Sequence, residues 1–241
     1  DLGYSIKRDE QVAQIILPRI RNTAMLALVP ALMAFPTAIV AGLLIGRFPR
    51  SRIGRAINTL GVVAMTLPEF VIATILWLVF SIWIPIFPGV TVVPSNATFM
   101  ELLPHIWMPA LTLASVVFAH SMRTMKAGVT TIQAMPFVES ARLRGTKERV
   151  TLLRHILPAA LPPVVNTIAV DAAWLLTGTF VTEAIINYRG LGRLTIDAIS
   201  DRDTAVFLPI VLFSLGAYLS MSLIADTVVR LLDPRLRQHR S

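Results

Sequence analysis

Two carboxylates lie inside long apolar runs, and these acids are the side chains whose placement most clearly points to chemistry. Glu69 follows Pro68 within the run Ala56–Ile84, and Asp171 lies about halfway along the run Ile156–Ile186. An acid in an apolar span is costly, and it normally faces a bundle interior, a water-filled cavity or a partner. We therefore expect both acids to line a path that favours cationic groups, such as an amino terminus, a basic side chain or a metal ion.

Two other interpretations of these acids stay open. In one, the carboxylate is protonated and hydrogen-bonded in helix packing; in the other, it pairs with a cation of a partner subunit. Glu183, near the end of the same run as Asp171, is expected to make a structural hydrogen bond. His120 is a lone histidine on an apolar segment, and we expect a packed polar group there rather than a metal ligand.

The composition indicates an integral membrane protein. The chain has 241 residues, of which 55% are hydrophobic and 15% charged, whereas a soluble domain carries roughly 25% charged residues. The net charge of +8 could suggest nucleic acid as a partner, but a nucleic-acid-binding domain is not built from long apolar runs. Because there is no cysteine, thiolate chemistry and zinc–thiolate sites are excluded.

Five apolar runs predict membrane-spanning helices, each of which needs about 20 residues to cross a bilayer. They are Ala24–Gly46, Ala56–Ile84, Ile106–Met122, Ile156–Ile186 and Thr204–Ala225. Alternating strands are absent from the sequence pattern, so we expect an all-α polytopic bundle. Residues 1–21 are expected to form an external segment with an interfacial helix, Gln11–Arg21, and residues 22–241 the transmembrane domain.

The distribution of positive charge predicts the orientation. Five spans place the termini on opposite sides, and 15 of the 22 Lys and Arg residues then lie on the side of the C-terminus. The positive-inside rule makes that side cytoplasmic. The N-terminus would then be external without a signal peptide, so we expect one further helix upstream, which would give six spans.

The predicted cytoplasmic segment at residues 135–163 has a regular pattern of apolar and polar residues, which a simple connecting loop would not need. An amphipathic stretch over residues 137–143 is followed by Gly145, and a second amphipathic stretch begins after it. We expect two short helices, with Gly145 as the left-handed residue that ends the first one. A compact knob of this kind is suited to docking into a groove of a soluble partner.

The spacing within this segment follows a definite order. The matching positions are Glu139-Ser140-Ala141, three residues, Gly145, nine residues and His155-Ile156-Leu157-Pro158. This order resembles the EAA loop of permease subunits of bacterial ATP-binding-cassette (ABC) importers. That loop has the pattern Glu-Ala-Ala, three residues, Gly, nine residues, Ile, any residue, Leu-Pro. Ser140 and His155 depart from it.

Three further segments resemble the dipeptide/oligopeptide/nickel branch of this family. Asp1–Ser5 resembles the external segment after the first helix of its B-type subunits. Tyr188–Leu194 resembles its Pro-Gly-Leu-Gly turn, with Arg189 in place of proline, and Leu232–Arg237 resembles its C-terminal signature. The resemblance covers essentially the whole chain, and B-type subunits have six spans with both termini cytoplasmic.

The resemblance implies a type I ABC importer permease in the bacterial inner membrane, with a cytoplasmic C-terminus and no enzymatic activity of its own. Its partners would be a second, related permease, two ATPase subunits, an external binding protein and the lipid bilayer, but no nucleic acid. The chain itself would hold no cofactor or metal, whereas ATP and Mg would bind to the ATPases. The cargo would be a peptide or a similar small solute, moved by alternating access.

The loop would carry the contact with the ATPases. The residues expected to form it are Glu139, Ser140, Ala141, Arg142, Arg144, Gly145, Leu157 and Pro158. The arginines have a second interpretation, as positive-inside charges that are solvated or face lipid headgroups.

Two other function classes remain as alternatives. A proton-coupled secondary transporter would use Glu69 and Asp171, but five or six spans without an internal repeat are few for that class. An intramembrane enzyme would need a motif such as His-Glu-x-x-His, which the sequence lacks, as it lacks a glycine-rich phosphate loop.

Overall fold

A computed structural model describes residues 2–87 and 99–232 of the chain, with the backbone alone for residues 99–105 and 230–232. A short antiparallel pair, β1 (Tyr4–Ser5) and β2 (Glu10–Gln11), leads directly into the helices. The helices are α1 (Val12–Arg47), α2 (Arg52–Thr66), α3 (Glu69–Trp77), α4 (Phe99–Gln133), α5 (Pro136–Leu143), α6 (Glu148–Val150), α7 (Leu157–Ile186), α8 (Leu191–Ser200) and α9 (Thr204–Leu232). Two π-helical turns, Leu78–Trp83 and Thr151–Ile156, follow α3 and join α6 to α7. Asp1 and most of the predicted C-terminal signature lie outside the described residues.

Three stretches of the described chain are long and apolar enough to cross a membrane. They are Val12–Arg47, Glu148–Ile186 and Thr204–Val229. A fourth span would be the pair Arg52–Thr66 and Glu69–Trp83, which is bent by 117°. The predicted run Ile106–Met122 lies within α4, a helix of 35 residues. The all-α, membrane-spanning class predicted from the sequence is confirmed.

The second predicted span is broken near its middle. The helix stops at Thr66 and starts again at Glu69, so that Leu67 and Pro68 form the break. Proline has no backbone N–H and disfavours helical geometry in the residue before it, which explains why a continuous apolar run gives two helices.

The predicted interfacial helix Gln11–Arg21 is not a separate element, because α1 continues from Val12 to Arg47. The polar pair that follows it, Asn22 and Thr23, does not cap a new helix. The Asn22 side chain donates to the Arg189 carbonyl at 2.8 Å, and the Thr23 hydroxyl donates to Glu183 at 2.7 Å. Because α1 runs from Val12 to Arg47, residue 21, which was predicted to end the external segment, lies inside a helix.

The chain divides into two compact units. The first contains Asp1–Leu32, Leu67–Ala114 and Ala173–Met221, and the second contains Met33–Thr66, Ser115–Ala172 and Ser222–Ser241. A buried cluster in the first unit packs the start of α1 against α8 and the start of α9; its members are Val12, Ile15, Ile16, Leu191, Leu194, Ala198, Val206 and Ile210.

The core of the second unit joins α1, α4, α5 and α7. Its buried members are Leu43, Met125, Val129, Val138, Ile156, Ala160 and Val164. Gly42 lets α1 approach α4 closely, because a Cβ at this position would lie 2.6 Å from the Met122 carbonyl oxygen. Small residues commonly allow such close packing between membrane helices.

Candidate functional site

The first helix of the predicted knob is present as α5. Pro136 occupies its first turn, where a missing N–H costs nothing. At its end, the Gly145 N–H donates to the Arg142 carbonyl at 2.9 Å and the Thr146 N–H to the Ala141 carbonyl at 3.2 Å. Gly145 has a φ of 75°. These two bonds and the left-handed glycine form a Schellman motif, and the predicted role of Gly145 in ending the helix is confirmed.

The second predicted short helix is instead the beginning of a long one. α6 has three residues and continues through the π-helical turn Thr151–Ile156 into α7. This wider turn directly precedes the first residues of α7, which include Pro158, a residue that cannot donate a backbone hydrogen bond. The knob therefore consists of α5, its glycine cap and the first turns of the Glu148–Ile186 stretch.

The two faces of α5 differ sharply in exposure. Val138 and Ala141 are buried, and Val138 belongs to the core of the second unit. Leu143, by contrast, is 83% exposed, and Phe137 is 43% exposed. Charged side chains surround these apolar ones; we call the exposed set Phe137, Glu139, Arg142, Leu143 and Arg144 the outer face of the loop.

Glu148 ties the loop to the end of α1. The same carboxylate oxygen lies 2.7 Å from Arg47 Nη2 and 3.1 Å from Arg142 Nη2. The Gln133 side chain adds a hydrogen bond of 3.2 Å to the Gly46 carbonyl. This arrangement could not be predicted from the sequence, because Arg47 and Glu148 are far apart in the chain and their pairing leaves no periodic signal.

The remaining residues that were predicted to contact the ATPases have modest local roles. Ser140 is exposed, and its hydroxyl donates to the Pro136 carbonyl of its own helix at 3.0 Å. Leu157 is partly buried against the core of the second unit, whereas Pro158 is exposed. Within the described chain, Arg144 forms no ion pair, which leaves its charge available on the outer face.

Asp171 lies in a polar cluster between α7 and α4. One carboxylate oxygen is 3.2 Å from His120 Nδ1, and the other accepts a hydrogen bond of 3.3 Å from the Ser121 hydroxyl. Asp171 is only 5% exposed. The carboxylate is therefore hydrogen-bonded between two packed helices. The side chain of His120 is 40% exposed, so it is less packed than predicted, and its pairing with Asp171 was not foreseen.

Glu69 has a different setting and different partners. It is the first residue of α3, directly after the break at Pro68, and it is half-buried. Its carboxylate accepts a short hydrogen bond from the Thr182 hydroxyl of α7. The apolar pattern places this acid mid-span, and the structure adds that it lies where the helix is interrupted.

Glu183 is fully buried and organises the turn between α7 and α8. Its carboxylate accepts hydrogen bonds from the Thr23 hydroxyl at 2.7 Å and from the Gly192 N–H at 2.6 Å. A side chain at Gly190 would collide with this carboxylate, and one at Gly192 would collide with the Phe180 backbone. The Gly-Leu-Gly turn thus wraps around Glu183, and the predicted structural hydrogen bond is confirmed.

The same turn contains Tyr188, which is fully buried. Its hydroxyl donates to the Asn22 carbonyl at 3.4 Å, and burial raises the pKa of this phenol. The side chains of Asn22 and Tyr188 therefore fasten the turn to α1 from both sides.

A family match covers most of the chain. Residues 38–238 match the sequence profile of the family described as "binding-protein-dependent transport system inner membrane component". This match includes the whole knob and the turn around Glu183. It does not support the alternative of a proton-coupled secondary transporter.

Curated relatives carry names from one kind of transport system. The chain is 29% identical over 239 residues to the oligopeptide transport system permease protein AppB of Bacillus subtilis, covering 98% of this chain and 76% of that one. It is 26% identical to a probable peptide ABC transporter permease of Sinorhizobium fredii, again covering 98% and 76%. It is 28% identical to the glutathione transport system permease protein GsiC of Escherichia coli K12, covering 98% and 75%.

The fold also resembles a solved structure. A chain of an amino acid ABC transporter with histidines superimposes with a TM-score of 0.61 at 18% identity, covering 90% of this chain and 93% of that one. This likeness concerns the fold. The profile match over residues 38–238 and the curated relatives give the assignment: the chain belongs to the family of inner membrane components of binding-protein-dependent transport systems, and it is a transport permease subunit of the ABC type.

Proposed function

We propose that this permease takes up peptides or a similar small solute across the bacterial inner membrane, driven by ATP. The observation that carries the proposal is similarity along 98% of the chain to permeases named for oligopeptide, peptide and glutathione transport. An external binding protein would deliver the solute, and alternating access would move it inward.

The ATPases would be separate subunits that bind the outer face of the loop. Leu143 and Phe137 are exposed apolar side chains on this face, and a partner that covered them would remove both from water. The other side of α5 is packed into the core through Val138, so a push on the outer face would act on the helices behind it. Glu148 adds a second connection, through Arg47, to α1.

The assembly would contain two ATPases and a second permease related to this chain. The basic loops support a cytoplasmic C-terminus, because 15 of the 22 cations then lie on the cytoplasmic side. ATP and Mg would be held by the ATPase subunits, and this chain would contribute no cofactor site.

We propose Glu69 as the more direct contributor to the translocation path. It lies at a break in a span, and interrupted helices are common where membrane proteins bind their cargo. Asp171 would act in the path through the His120–Asp171 pair, which joins α4 to α7. A carboxylate at either position favours a cationic group on the cargo.

The direct test is uptake by proteoliposomes that contain the complete complex and its binding protein. Labelled dipeptide, oligopeptide and glutathione would be offered outside, with ATP enclosed or omitted, in the presence or absence of a protonophore. We expect uptake of at least one peptide-like solute that needs ATP and persists with the protonophore. Uptake that runs without ATP and stops with the protonophore would contradict the proposal.

A further inference from the structure

An apolar groove lies between the end of α1 and the start of α2. It encloses about 590 Å³, within the range of roughly 300–1,000 Å³ typical of small-molecule sites. Its walls include Val40, Leu44, Phe48, Ile53 and Ile57, and no charged side chain lines it. Val40, Phe48 and Ile53 are each more than half exposed, so the groove is open to what surrounds the protein.

A basic cavity adjoins this groove. It encloses about 700 Å³ and is lined by Arg47, Phe48, Pro49, Arg50 and Ser51. Phe48 and Ser51 line both spaces, so the apolar groove and the basic cavity are direct neighbours. The Arg47 guanidinium lies 5.0 Å from the centre of the Phe48 ring, at the junction of the two.

The charge at this junction is only partly balanced. Arg47 is paired with Glu148, but its Nε is buried and has no hydrogen-bond partner among the described residues. Arg50, Arg52 and Arg55 are exposed and form no ion pair in the part of the chain that the structure describes. There is no Asp or Glu between residues 11 and 68. A surplus of cations therefore stands beside an uncharged groove.

We infer that this site binds an anionic glycerophospholipid, with an acyl chain in the groove and the phosphate at the arginines. The groove belongs in part to Val12–Arg47, a stretch apolar enough to cross a membrane, so a lipid is the amphiphile available to it. Basic pockets beside membrane helices bind anionic headgroups. A headgroup with its own cation would be held less well by the same arginines. The inference does not depend on the cargo or on the ATPases.

The test is a lipid titration of the delipidated full-length chain in neutral detergent, followed by native mass spectrometry. Dioleoyl phosphatidylglycerol and dioleoyl phosphatidylcholine would be compared, because they share their acyl chains and differ in headgroup charge. We expect the anionic lipid to bind at least about tenfold more tightly, as electrostatic attraction by several arginines implies. Equal binding of the two lipids would overturn the inference.

Variants separate this site from general lipid contact. The double variant Arg50→Ala, Arg52→Ala should reduce the preference for the anionic lipid to about twofold or less. The double variant Arg50→Lys, Arg52→Lys keeps both charges and should largely keep the preference. Arg154→Ala, at an exposed arginine outside the site, is the matched control and should keep it too. Loss of the preference in the control, or its survival in the alanine pair, would overturn the inference.

Two further measurements distinguish a bound lipid from other occupants of the site. Glycerol phosphate, which carries the headgroup charge without acyl chains, should not compete with the lipid at equal concentration; full competition would indicate a free-phosphate site. The titration would be repeated with the partner permease bound. If the preference vanished there, the groove would be an interface between subunits and not a lipid site.

Discussion

The buried carboxylate of Glu183 shows how a single residue shapes this chain. It accepts hydrogen bonds from α1, through Thr23, and from the backbone of α8, through Gly192. Thr23 in turn accepts the Leu191 N–H at 2.8 Å. Thr23 and Gly192 are buried, so the carboxylate that accepts from both of them compensates for the hydrogen bonds to water that they lose on folding.

Replacing Glu183 by Ala should destabilise the protein measurably. The change leaves the Thr23 hydroxyl and the Gly192 N–H without an acceptor, which costs about 1–3 kcal/mol for each buried group left unpaired. Thermal unfolding in detergent should show a lower midpoint for this variant, while Glu139→Ala, at an exposed acid, should behave as the unaltered chain. Equal midpoints for the two variants would show that Glu183 does not organise the turn.

Gly192 offers a second test at the same turn. A Cβ at this position would collide with the Phe180 backbone, and backbone cannot rotate away as a side chain can. We expect Gly192→Ala to lower the unfolding midpoint by overpacking, at a cost of about 1–3 kcal/mol. Gly216→Ala in α9 is the control, since nothing lies within 4 Å of its Cβ position. If both variants unfolded at the same temperature, the close approach of α8 to α7 would be in doubt.

At the level of elements, the cap of α5 decides how the outer face of the loop is presented. Gly145 is held at a φ of 75°, yet nothing lies within 4 Å of its Cβ position. Gly145→Ala should therefore act through backbone strain alone, at about 1–2 kcal/mol. Faster hydrogen exchange is expected at the amides of residues 144–146, which close the turn.

Asparagine supplies the control for this substitution. It tolerates the left-handed conformation better than alanine does, so Gly145→Asn should exchange at rates closer to those of the unaltered chain. The contrary result would be amide hydrogens of residues 144–146 that exchange in both variants as slowly as in the unaltered chain. The left-handed turn would then carry no strain, and the assigned cap would be wrong.

The elements that the sequence could predict are those with local signals. α5, its glycine cap and the apolar spans follow from periodicity and from one residue type at a fixed position. The continuity of α1 through residue 21 could not be predicted in this way. It depends on Asn22 and Thr23, whose side chains donate hydrogen bonds to residues more than 150 positions away, Arg189 and Glu183. The His120–Asp171 pair and the Arg47–Glu148 pair escaped prediction for the same reason.

At the scale of the whole molecule, the chain is a permease whose knob consists of α5, its glycine cap and the first turns of the Glu148–Ile186 stretch. The second unit holds that knob together with the ends of α1 and α4 that support it. An importer of this kind needs a partner that hydrolyses ATP. We propose the outer face of the loop as the surface that this partner binds. Its most exposed apolar residue, Leu143, is the natural place to test the claim.

The measurement that tests this claim most directly is site-specific crosslinking in the assembled transporter. The chain has no cysteine, so Leu143→Cys and Ile6→Cys each introduce a single thiol at an apolar side chain that is 83% or 91% exposed. A short thiol-to-amine crosslinker would be applied to membranes that contain the ATPases. We predict a crosslink to an ATPase subunit from position 143 and none from position 6. Absence of a crosslink from position 143, or equal yields from both positions, would contradict the account.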